Sequence, residues 1–426
     1  YLPMKVYKFG GGVVKDAEGV KNIARILSGT DENLIVVVSA FGKTTNALEK
    51  VLETWYNKNG EFRALLGRIY DYHLDIARKL FTDGKEVIDS LNLAFSKLED
   101  YLLTEKIRDY DYEYDQIVSY GEIWASIIVA GYLQKEGFDV EWVDIRNCLI
   151  TDDNYRDAGI LWGESSKETK RCFDFLKRKI YVTQGFIGGT ITGQTTTLGR
   201  EGSDYTAAVL ANMLDAKEVV VWKDVPGILN ADPLWLDDAV KLDAISYKEA
   251  VEMSFSGAKI IHPKTIKPLH NKNIPLYVKP FFNPGEPGTL VSSISRVTTD
   301  AVPVYIRKEN QILISVLPVD FSFVMGDNLS IVFHSFMQHR VKVNLVQASA
   351  VSINVCVDYE KTKIEKLIKD LKRDYKVLYN DNVEILTVMR YNREATARIL
   401  AGREILLEQK TRRVVRYVVR CLKNSI

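Results

Sequence analysis

Apolar runs of strand length alternate with longer amphipathic segments over most of the chain. Leu34–Ser39 (LIVVVS) is a continuous apolar run, as expected of a strand buried on both faces of a parallel sheet. Asp16–Leu27 and Gly121–Lys135 have the apolar spacing typical of helices. Other strand candidates are Val6–Phe9, Val140–Ile145, Ile180–Thr183, Glu218–Trp222 and Pro275–Val278, with helices at Ser203–Leu214 and Tyr247–Ser254. This α/β alternation predicts a three-layer α/β/α sandwich around a mostly parallel central sheet.

The pattern changes in two places. Residues 62–108 contain long amphipathic stretches without a strand signal, which predicts a helical excursion. Beyond the turn-forming segment FFNPGEPG at 281–288, the predicted elements suggest a different architecture. They are strands Ile312–Leu317, Val343–Gln347, Ser352–Val357 and Val383–Met389, and helices Leu329–His339, Tyr359–Arg373 and Arg393–Ala401. Their order predicts two small β-α-β-type modules of the α+β class.

The composition is that of an ordinary globular protein of several domains. Of the 426 residues, 46% are hydrophobic, and 57 basic residues nearly balance 56 acidic ones. The net charge of +1 argues against a protein dominated by nucleic-acid binding. Four cysteines without a CxxC pair argue against a zinc site or disulfide framework and favour a reducing cytoplasm. No apolar stretch reaches the ~20 residues of a membrane span, and the start, YLPMKVYK, lacks a signal peptide's apolar run.

Glycine and small polar residues cluster where predicted strands end, which is where open α/β sheets bind ligands. The clusters are Lys8–Gly12 (KFGGG), Ser39–Asn46 (SAFGKTTN) and Gly185–Asp204. In the first, three glycines follow a lysine. Their N–H groups suit phosphate oxygens and the lysine adds a point charge, although a plain strand-to-helix turn explains the same residues. In the second, Gly42-Lys43-Thr44 resembles the end of a P-loop, but Val37 occupies the position of the first P-loop glycine, so we reject that motif.

The third cluster carries the most specific signal. Six glycines fall between residues 185 and 202, and the segment ends Arg200-Glu201-Gly202-Ser203-Asp204 before a predicted helix. Ser203 is a natural N-cap, which would place backbone N–H donors in the loop. Arg200 suits two-point binding of a carboxylate or phosphate, and Asp204 suits an ammonium group or Mg²⁺. No GxGxxG follows a strand, so a Rossmann dinucleotide site is disfavoured.

Seven segments together resemble the aspartate kinases of the amino-acid kinase superfamily. They are KFGGG (8–12), VVVSAFGKTTNAL (36–48), SYGEIWAS (119–126), GFIGGTITGQTTTLGREGSDYTAA (185–208), VWKDVPGILNADP (221–233), SGAKIIHP (256–263) and PGTLVS (287–292). The remaining residues resemble, less specifically, the paired ACT modules of that family. The resemblance implies a catalytic domain over 4–293, a first ACT-type module over 301–382 and a second over 383–426, with 301–307 completing the second.

The resemblance also implies an activity. Aspartate kinases phosphorylate the side-chain carboxylate of L-aspartate with ATP, giving 4-phospho-L-aspartate, at the entry to lysine, threonine and methionine synthesis. A carboxylate has an ordinary pKa of about 4, so it is ionised without a general base. Catalysis then reduces to alignment and charge neutralisation, which suits a site of glycines, lysine, arginine and Mg²⁺. We expect ATP and Mg²⁺ as cofactors, with Mg²⁺ held mainly through the phosphates and without a dedicated set of protein ligands.

Residue roles follow from the resemblance, position by position. Lys8 and Asp204 would be catalytic, with Lys8 neutralising the transferring phosphoryl group. The substrate-binding residues implied are Thr45, Glu122, Arg200 and Ser203, with Arg200 on a carboxylate and Glu122 on the ammonium side. The ATP-binding residues implied are Lys8, Gly10, Gly11, Lys223, Asp224 and Lys259.

Several positions depart from the family pattern. Gly12 and Val13 remove a hydroxyl beside the phosphates, Lys223 replaces a threonine, Glu201 replaces a glycine, and Leu234 replaces an arginine. Losing one charged contact costs about 1.5–3 kcal/mol, or roughly one to two decades in affinity, so we expect weakened ATP binding.

The tail bears on regulation and assembly. ACT modules in the family sense an end-product amino acid and mediate dimerisation, so we expect threonine or lysine as effector and a homodimer through these modules. Asn344 and Ala350 stand where lysine-sensitive members carry acidic residues, which argues against lysine inhibition. The sequence ends at Ile426 without a dehydrogenase domain, which favours a monofunctional kinase, and the cysteine usage favours a cytoplasmic one.

Two alternatives stay open at this point. One is the same fold acting on a different acidic amino acid. The other is an amino-acid-sensing regulator whose catalytic site has weakened, as Gly12, Val13 and Leu234 suggest.

Overall fold

The computed structural model describes residues 3–104, 106–293, 302–319 and 327–422. They form two compact units, and the division is not at a single point in the chain. Described residues 3–228, 241–251 and 261–293 belong to the first unit, and residues 229–240, 252–260 and those beyond 302 belong to the second. The module limits predicted at 301 and 426 lie outside the described residues, and the predicted module boundaries stay predictions.

Strand order in the first unit confirms a mostly parallel sheet. Eight strands are ordered β3-β5-β2-β1-β8-β10-β11-β9, and the first six run parallel to their neighbours. A small sheet, β4-β6-β7, lies apart from it. The strands are β1 (Met4–Phe9), β2 (Asn33–Val38), β3 (Val140–Val143), β4 (Ile150–Thr151), β5 (Ile180–Gln184), β6 (Ile187–Thr190), β7 (Thr195–Thr197), β8 (Glu218–Lys223), β9 (Ala244–Ser246), β10 (Leu276–Pro280) and β11 (Thr289–Ser292).

Helices cover both faces of this sheet, as the three-layer prediction requires. One layer holds α8, which packs on β1, β2 and β8, and the other holds α6, which packs on β2, β3 and β5. The predicted helical excursion is confirmed as α3 and α4. The helices are α1 (Ala17–Ser28), α2 (Thr44–Tyr56), α3 (Phe62–Leu80), α4 (Lys85–Thr104), α5 (Tyr110–Val118), α6 (Tyr120–Lys135), α7 (Trp162–Cys172), α8 (Gly202–Met213), α9 (Tyr247–Ser256) and α10 (Pro263–Lys272), with a 3₁₀ turn at Ile145–Asn147.

Burial explains the apolar runs of the central strands. Residues 34–38 of β2 are fully buried, because β2 is covered by a helix on each face. At the end of β1, Phe9 stacks on Trp222 of the neighbouring strand with ring centroids 6.1 Å apart. Since β1, β2, β5 and β8 are parallel neighbours, their carboxyl ends meet at one edge of the sheet. The three glycine clusters therefore lie together there.

The second unit is built on one antiparallel sheet with helices, which is consistent with the predicted α+β modules of ACT type. The long strands β12 and β15 pair along their length and join both halves into a six-stranded sheet of order β13-β14-β12-β15-β17-β16. Helices α11 and α12 cover one part of the sheet around Phe336 and Leu367. The elements are β12 (Val304–Pro318), α11 (Asp327–Gln338), β13 (Val343–Ala348), β14 (Ile353–Asp358), α12 (Lys361–Leu371), β15 (Tyr375–Met389), α13 (Arg393–Leu400), β16 (Arg403–Lys410) and β17 (Val414–Cys421).

Within the described ranges, no helix combines the length and the apolar character needed to cross a bilayer.

Adjacent glycines in the first cluster differ in how closely they pack. A Cβ on Gly11 would lie 2.4 Å from the Ala40 carbonyl oxygen, whereas a Cβ on Gly12 would meet nothing within 4 Å. We predict that Gly11→Ala lowers the free energy of unfolding by about 1–3 kcal/mol, because backbone must shift to admit the methyl group. Gly12→Ala is the matched control, with a change of at most about 0.5 kcal/mol. Urea denaturation measures both, and equal effects would contradict the packing at Gly11.

Candidate active site

A cavity of about 580 Å³ opens at the carboxyl edge of the parallel sheet. Its wall is formed by the ends of β1, β2 and β8, the first turns of α2, α6 and α8, and the loop before α8. The lining residues are Lys8, Gly11, Gly12, Ser39, Ala40, Gly42, Thr45, Tyr114, Glu122, Arg156, Phe186, Gly199, Arg200, Glu201, Gly202, Ser203, Asp204 and Lys223. All of them belong to the first unit.

Lys8 and Asp204 form a buried ion pair in this cavity. The Lys8 ammonium lies 2.6 Å from Asp204 Oδ1, and the two side chains are only 12% and 4% exposed. Burial alone would raise the pKa of the Asp204 carboxyl, but the positive charges of Lys8 and Lys223 and the hydrogen bond from Lys8 hold that pKa below its usual value. The cavity therefore contains a fixed cation and a fixed anion side by side.

The glycine cluster after β1 gives Lys8 its room. A Cβ on Gly10 would lie 3.2 Å from the Lys8 ammonium. The Lys8 side chain therefore passes over Gly10, where no side chain obstructs it. Gly42 N–H donates to the Gly11 carbonyl at 3.1 Å and ties the cluster to the end of β2. The N–H groups of Gly11 and Gly12 make no hydrogen bond to another described residue and remain available to a ligand. Gly10 itself does not line the cavity.

Glu122 is a buried carboxyl group with an unused oxygen. It lies in the first turn of α6 and is 3% exposed. Its Oε1 accepts a hydrogen bond from Ala40 N–H at 3.3 Å, while Oε2 has no hydrogen-bond partner among the described residues. Burial raises the pKa of Glu122 to about 8, against smaller lowering effects from the Ala40 hydrogen bond and the Lys8 charge. A bound ammonium group would both satisfy Oε2 and favour its ionised form.

The loop before α8 differs from prediction at its cap. Ser203 is not the N-cap, because α8 begins at Gly202 and Glu201 occupies the cap with no side-chain capping bond. Ser203 instead lies in the first turn, packed so closely on the end of β5 that a Cβ on Gly185 would sit 2.5 Å from Ser203 Cβ. Arg200 is exposed at the cavity wall, and its side chain has no ion pair or hydrogen bond with the described residues.

Glu201 is accommodated rather than disruptive. Its φ of 54° is left-handed, a conformation that favours glycine and explains why a family pattern would place glycine here. Its Oε2 accepts a hydrogen bond from His262 N–H at 2.8 Å, at the start of α10. The negative charge is thereby partnered within the first unit.

The remaining predicted residues are distributed unequally. Thr45 is half-buried in the first turn of α2 and lines the cavity, and Lys223 lines it from the end of β8. Asp224 is exposed and outside the cavity wall. Lys259 belongs to the second unit. The roles assigned to all of these residues stay predictions.

Sequence reasoning missed several lining residues. Arg156 follows β4 in the turn TDDNYRD, and Tyr114 comes from α5. Neither falls in a glycine cluster, so only their position in the fold reveals them. Within the described ranges, no group of three or more His, Cys, Asp or Glu side chains is arranged to hold a metal ion.

Comparison with known proteins gives a consistent picture. Residues 3–280 match the model of the amino acid kinase family. The chain is 34% identical over 295 residues to the chloroplastic bifunctional aspartokinase/homoserine dehydrogenase 2 of Arabidopsis thaliana, covering 67% of this chain and 32% of that protein. It is 31% identical over 402 residues to the chloroplastic aspartokinase 1 of the same plant, covering 90% and 68%. The chain thus spans about a third of the length of the bifunctional relatives it matches.

The fold matches that of a solved enzyme over nearly its whole length. Aspartokinase III of Escherichia coli superposes with a TM-score of 0.80 at 26% identity, with 98% of this chain and 96% of that chain covered. That protein has been solved with lysine and aspartate in a T-state and with aspartate and ADP in an R-state.

The buried state of Glu122 predicts a pH-dependent stability. Its folded pKa of about 8 lies above the ordinary 4.5, so its contribution to stability is complete below pH 4.5 and is lost as pH rises through about 8. We predict that Glu122→Gln becomes more stable relative to the wild type, by up to a few kcal/mol, between pH 5 and pH 9. Glu136→Gln, at the exposed far end of α6, should follow the wild-type profile. Urea denaturation across this range measures the difference, and parallel profiles for Glu122→Gln and the wild type would contradict it.

Proposed function

Because the chain belongs to the amino acid kinase family, we propose that it transfers the γ-phosphoryl group of ATP to the side-chain carboxylate of L-aspartate, forming 4-phospho-L-aspartate. The observation that carries this proposal is the set of charges in one cavity. A buried Lys8–Asp204 pair lies with a Glu122 oxygen and an Arg200 guanidinium that have no partner in the described part of the chain. This set suits an anionic phosphate and a small amino acid with two carboxylates.

Relatives support the choice of substrates. The aspartokinase III structure, which shares the whole fold, contains aspartate and ADP. Glu122 gives the ammonium group of an amino acid an acceptor, and Arg200 gives a carboxylate a two-point donor. Thr45 and Ser203 complete the acceptor side with hydroxyl groups.

The reaction needs charge control more than proton transfer. The attacking carboxylate is ionised at neutral pH, so the barrier lies in bringing two anions together. Lys8 neutralises the phosphoryl oxygens as the bond to the leaving ADP oxygen breaks and the bond to the carboxylate oxygen forms. Gly11 N–H holds the phosphates without placing a side chain between the reactants. Gly10 leaves room for the Lys8 side chain.

The nucleotide side draws on the same edge of the sheet. Lys223 adds a second cation beside Asp204, and we assign Asp224 to nucleotide binding with it. Mg²⁺ bound with the triphosphate would be held mainly through the phosphates and would supply positive charge at the transferring group. The ionised Asp204 carboxylate is the protein oxygen that suits this ion, because Mg²⁺ prefers hard oxygen ligands.

Regulation is assigned to the second unit. We propose that an end-product amino acid binds this unit and that the chain forms a homodimer through it. Threonine and lysine both stay candidates, and aspartokinase III has been solved with lysine. Asn344, which the sequence weighs against lysine, is neutral, and its amide is bonded to Lys308 Nζ at 2.7 Å and to Gln311 Oε1 at 2.7 Å. Ala350 is exposed and offers no charge.

Trapping the acyl phosphate with hydroxylamine tests the proposed reaction. With ATP, Mg²⁺ and L-aspartate we expect aspartyl hydroxamate. Product from another acidic amino acid alone would favour a different acceptor. No turnover, together with heat stabilisation by threonine or lysine, would favour a sensing regulator and contradict the proposal.

Lys8→Ala tests the assigned role of the lysine. We expect kcat per folded molecule to fall by about 10²–10³-fold, because one fixed charge on the transition state is lost. Lys5→Ala is the matched control, since Lys5 lies on the same strand and pairs with Glu32 and Glu218 outside the cavity. Folded enzyme is quantified first, because the buried Asp204 loses its partner in the variant. Equal kcat values for the two variants would remove Lys8 from the mechanism.

A further inference from the structure

Arg156 holds a backbone conformation that arginine rarely adopts. Its φ is 69°, in the left-handed region that favours glycine, and it lies in the turn after β4 at the wall of the cavity. Strain of this kind persists only where surrounding contacts impose it, and it concentrates at functional sites.

Asp115 imposes the conformation. Both carboxylate oxygens of this buried residue accept hydrogen bonds from Arg156 N–H, at 3.2 and 3.1 Å. The same carboxylate accepts from Thr197 N–H at 2.8 Å and from the Thr197 hydroxyl at 2.6 Å. Thr197 ends β7 and leads directly into Gly199-Arg200. One buried carboxylate therefore fixes the backbone of Arg156 and of the strand that precedes the Arg200 loop.

The guanidinium of Arg156 is also held in place. It lies over the Tyr114 ring, 4.5 Å from the centroid, and its Nη1 donates to Asp111 Oδ1 at 3.0 Å. Its Nε and Nη2 have no hydrogen-bond acceptor among the described residues, and the side chain is 47% exposed. Nε and Nη2 together form one edge of the planar group, the arrangement that grips a carboxylate at two points.

We propose that Arg156 is a specificity-determining residue that binds, together with Arg200, the carboxylate of the acceptor that is not phosphorylated. This inference rests on the proposed function. A guanidinium on the reacting carboxylate would withdraw charge from the nucleophile, so the non-reacting carboxylate is the appropriate partner. Two guanidinium groups on that carboxylate favour acceptors that have a second carboxylate besides the reacting one. The left-handed backbone at Arg156 is the strained conformation that places the second guanidinium group there.

Steady-state kinetics of the full chain test this with two variants that remove the same side chain. In Arg156→Ala and Arg156→Gly we expect the aspartate KM to rise about 10- to 100-fold, with kcat and the ATP KM changing less than about 3-fold. Arg156→Gly should melt at a higher temperature than Arg156→Ala, because glycine adopts the left-handed conformation without strain. Preference for aspartate over β-alanine, which lacks the α-carboxylate, should fall by about the same factor as aspartate affinity.

Two controls separate binding from local structure. Arg178→Ala removes a guanidinium of similar exposure, paired with Asp139 at 3.1 Å, which lies outside the cavity wall. Asp111→Ala removes the partner of Arg156 but keeps its guanidinium. Arg178→Ala should leave the aspartate KM within about 3-fold of wild type. Asp111→Ala should raise it less than Arg156→Ala does, because the Tyr114 ring still supports the guanidinium.

The outcomes divide cleanly. Turnover of aspartate with an unchanged KM in both Arg156 variants overturns this inference and leaves the proposed function standing. A KM increase in Asp111→Ala as large as that in Arg156→Ala also overturns it, since the effect would then belong to the ion pair. A wild-type chain that forms no aspartyl phosphate contradicts the proposed function, and this inference with it.

Discussion

The buried ion pair between Lys8 and Asp204 is the constraint on which the site depends. Neither charge is tolerated alone where it lies, because an unpaired charge removed from water is far more costly than a paired one. The pair therefore requires that the end of β1 and the first turn of α8 keep a fixed position relative to each other. The fold provides this by pairing β1 on both sides and packing α8 across β1, β2 and β8. A site whose charges are fixed before a ligand arrives needs no reorganisation during the reaction.

The carboxyl groups in this cavity differ in protonation state because their surroundings differ. Glu122 is buried without a cationic contact on its free oxygen and keeps its proton near neutral pH, whereas Asp204 stays ionised beside Lys8. The two residues therefore differ in protonation near neutral pH, and an ammonium group bound at Glu122 would favour the ionised form of that residue as well. Glu201 belongs to neither class, because a backbone N–H of α10 accommodates its charge.

Local pattern predicts the parallel sheet and the residues at the ends of its strands, because apolar runs and glycine clusters depend on short-range chemistry. Lys8, Glu122, Arg200 and Asp204 line one cavity, and the roles assigned to them stay predictions. Ser203 loses the N-cap because the chain turns left-handed at Glu201, which a helix-start pattern does not reveal. The place of Arg156 in the cavity wall cannot be predicted from local sequence either, because it depends on the Asp115 carboxylate of α5, which is distant in the chain. The single sheet of the second unit likewise depends on pairing between β12 and β15, which no local signal specifies.

A crystal structure with L-aspartate, Mg²⁺ and a non-hydrolysable ATP analogue tests the central claim most directly. The account predicts that the Lys8 ammonium lies within hydrogen-bonding distance of the γ-phosphate, with the β-carboxylate of aspartate facing that phosphate in the same cavity. Ligands bound elsewhere, or bound in the cavity with Lys8 still directed only at Asp204 and away from the phosphate, would contradict it.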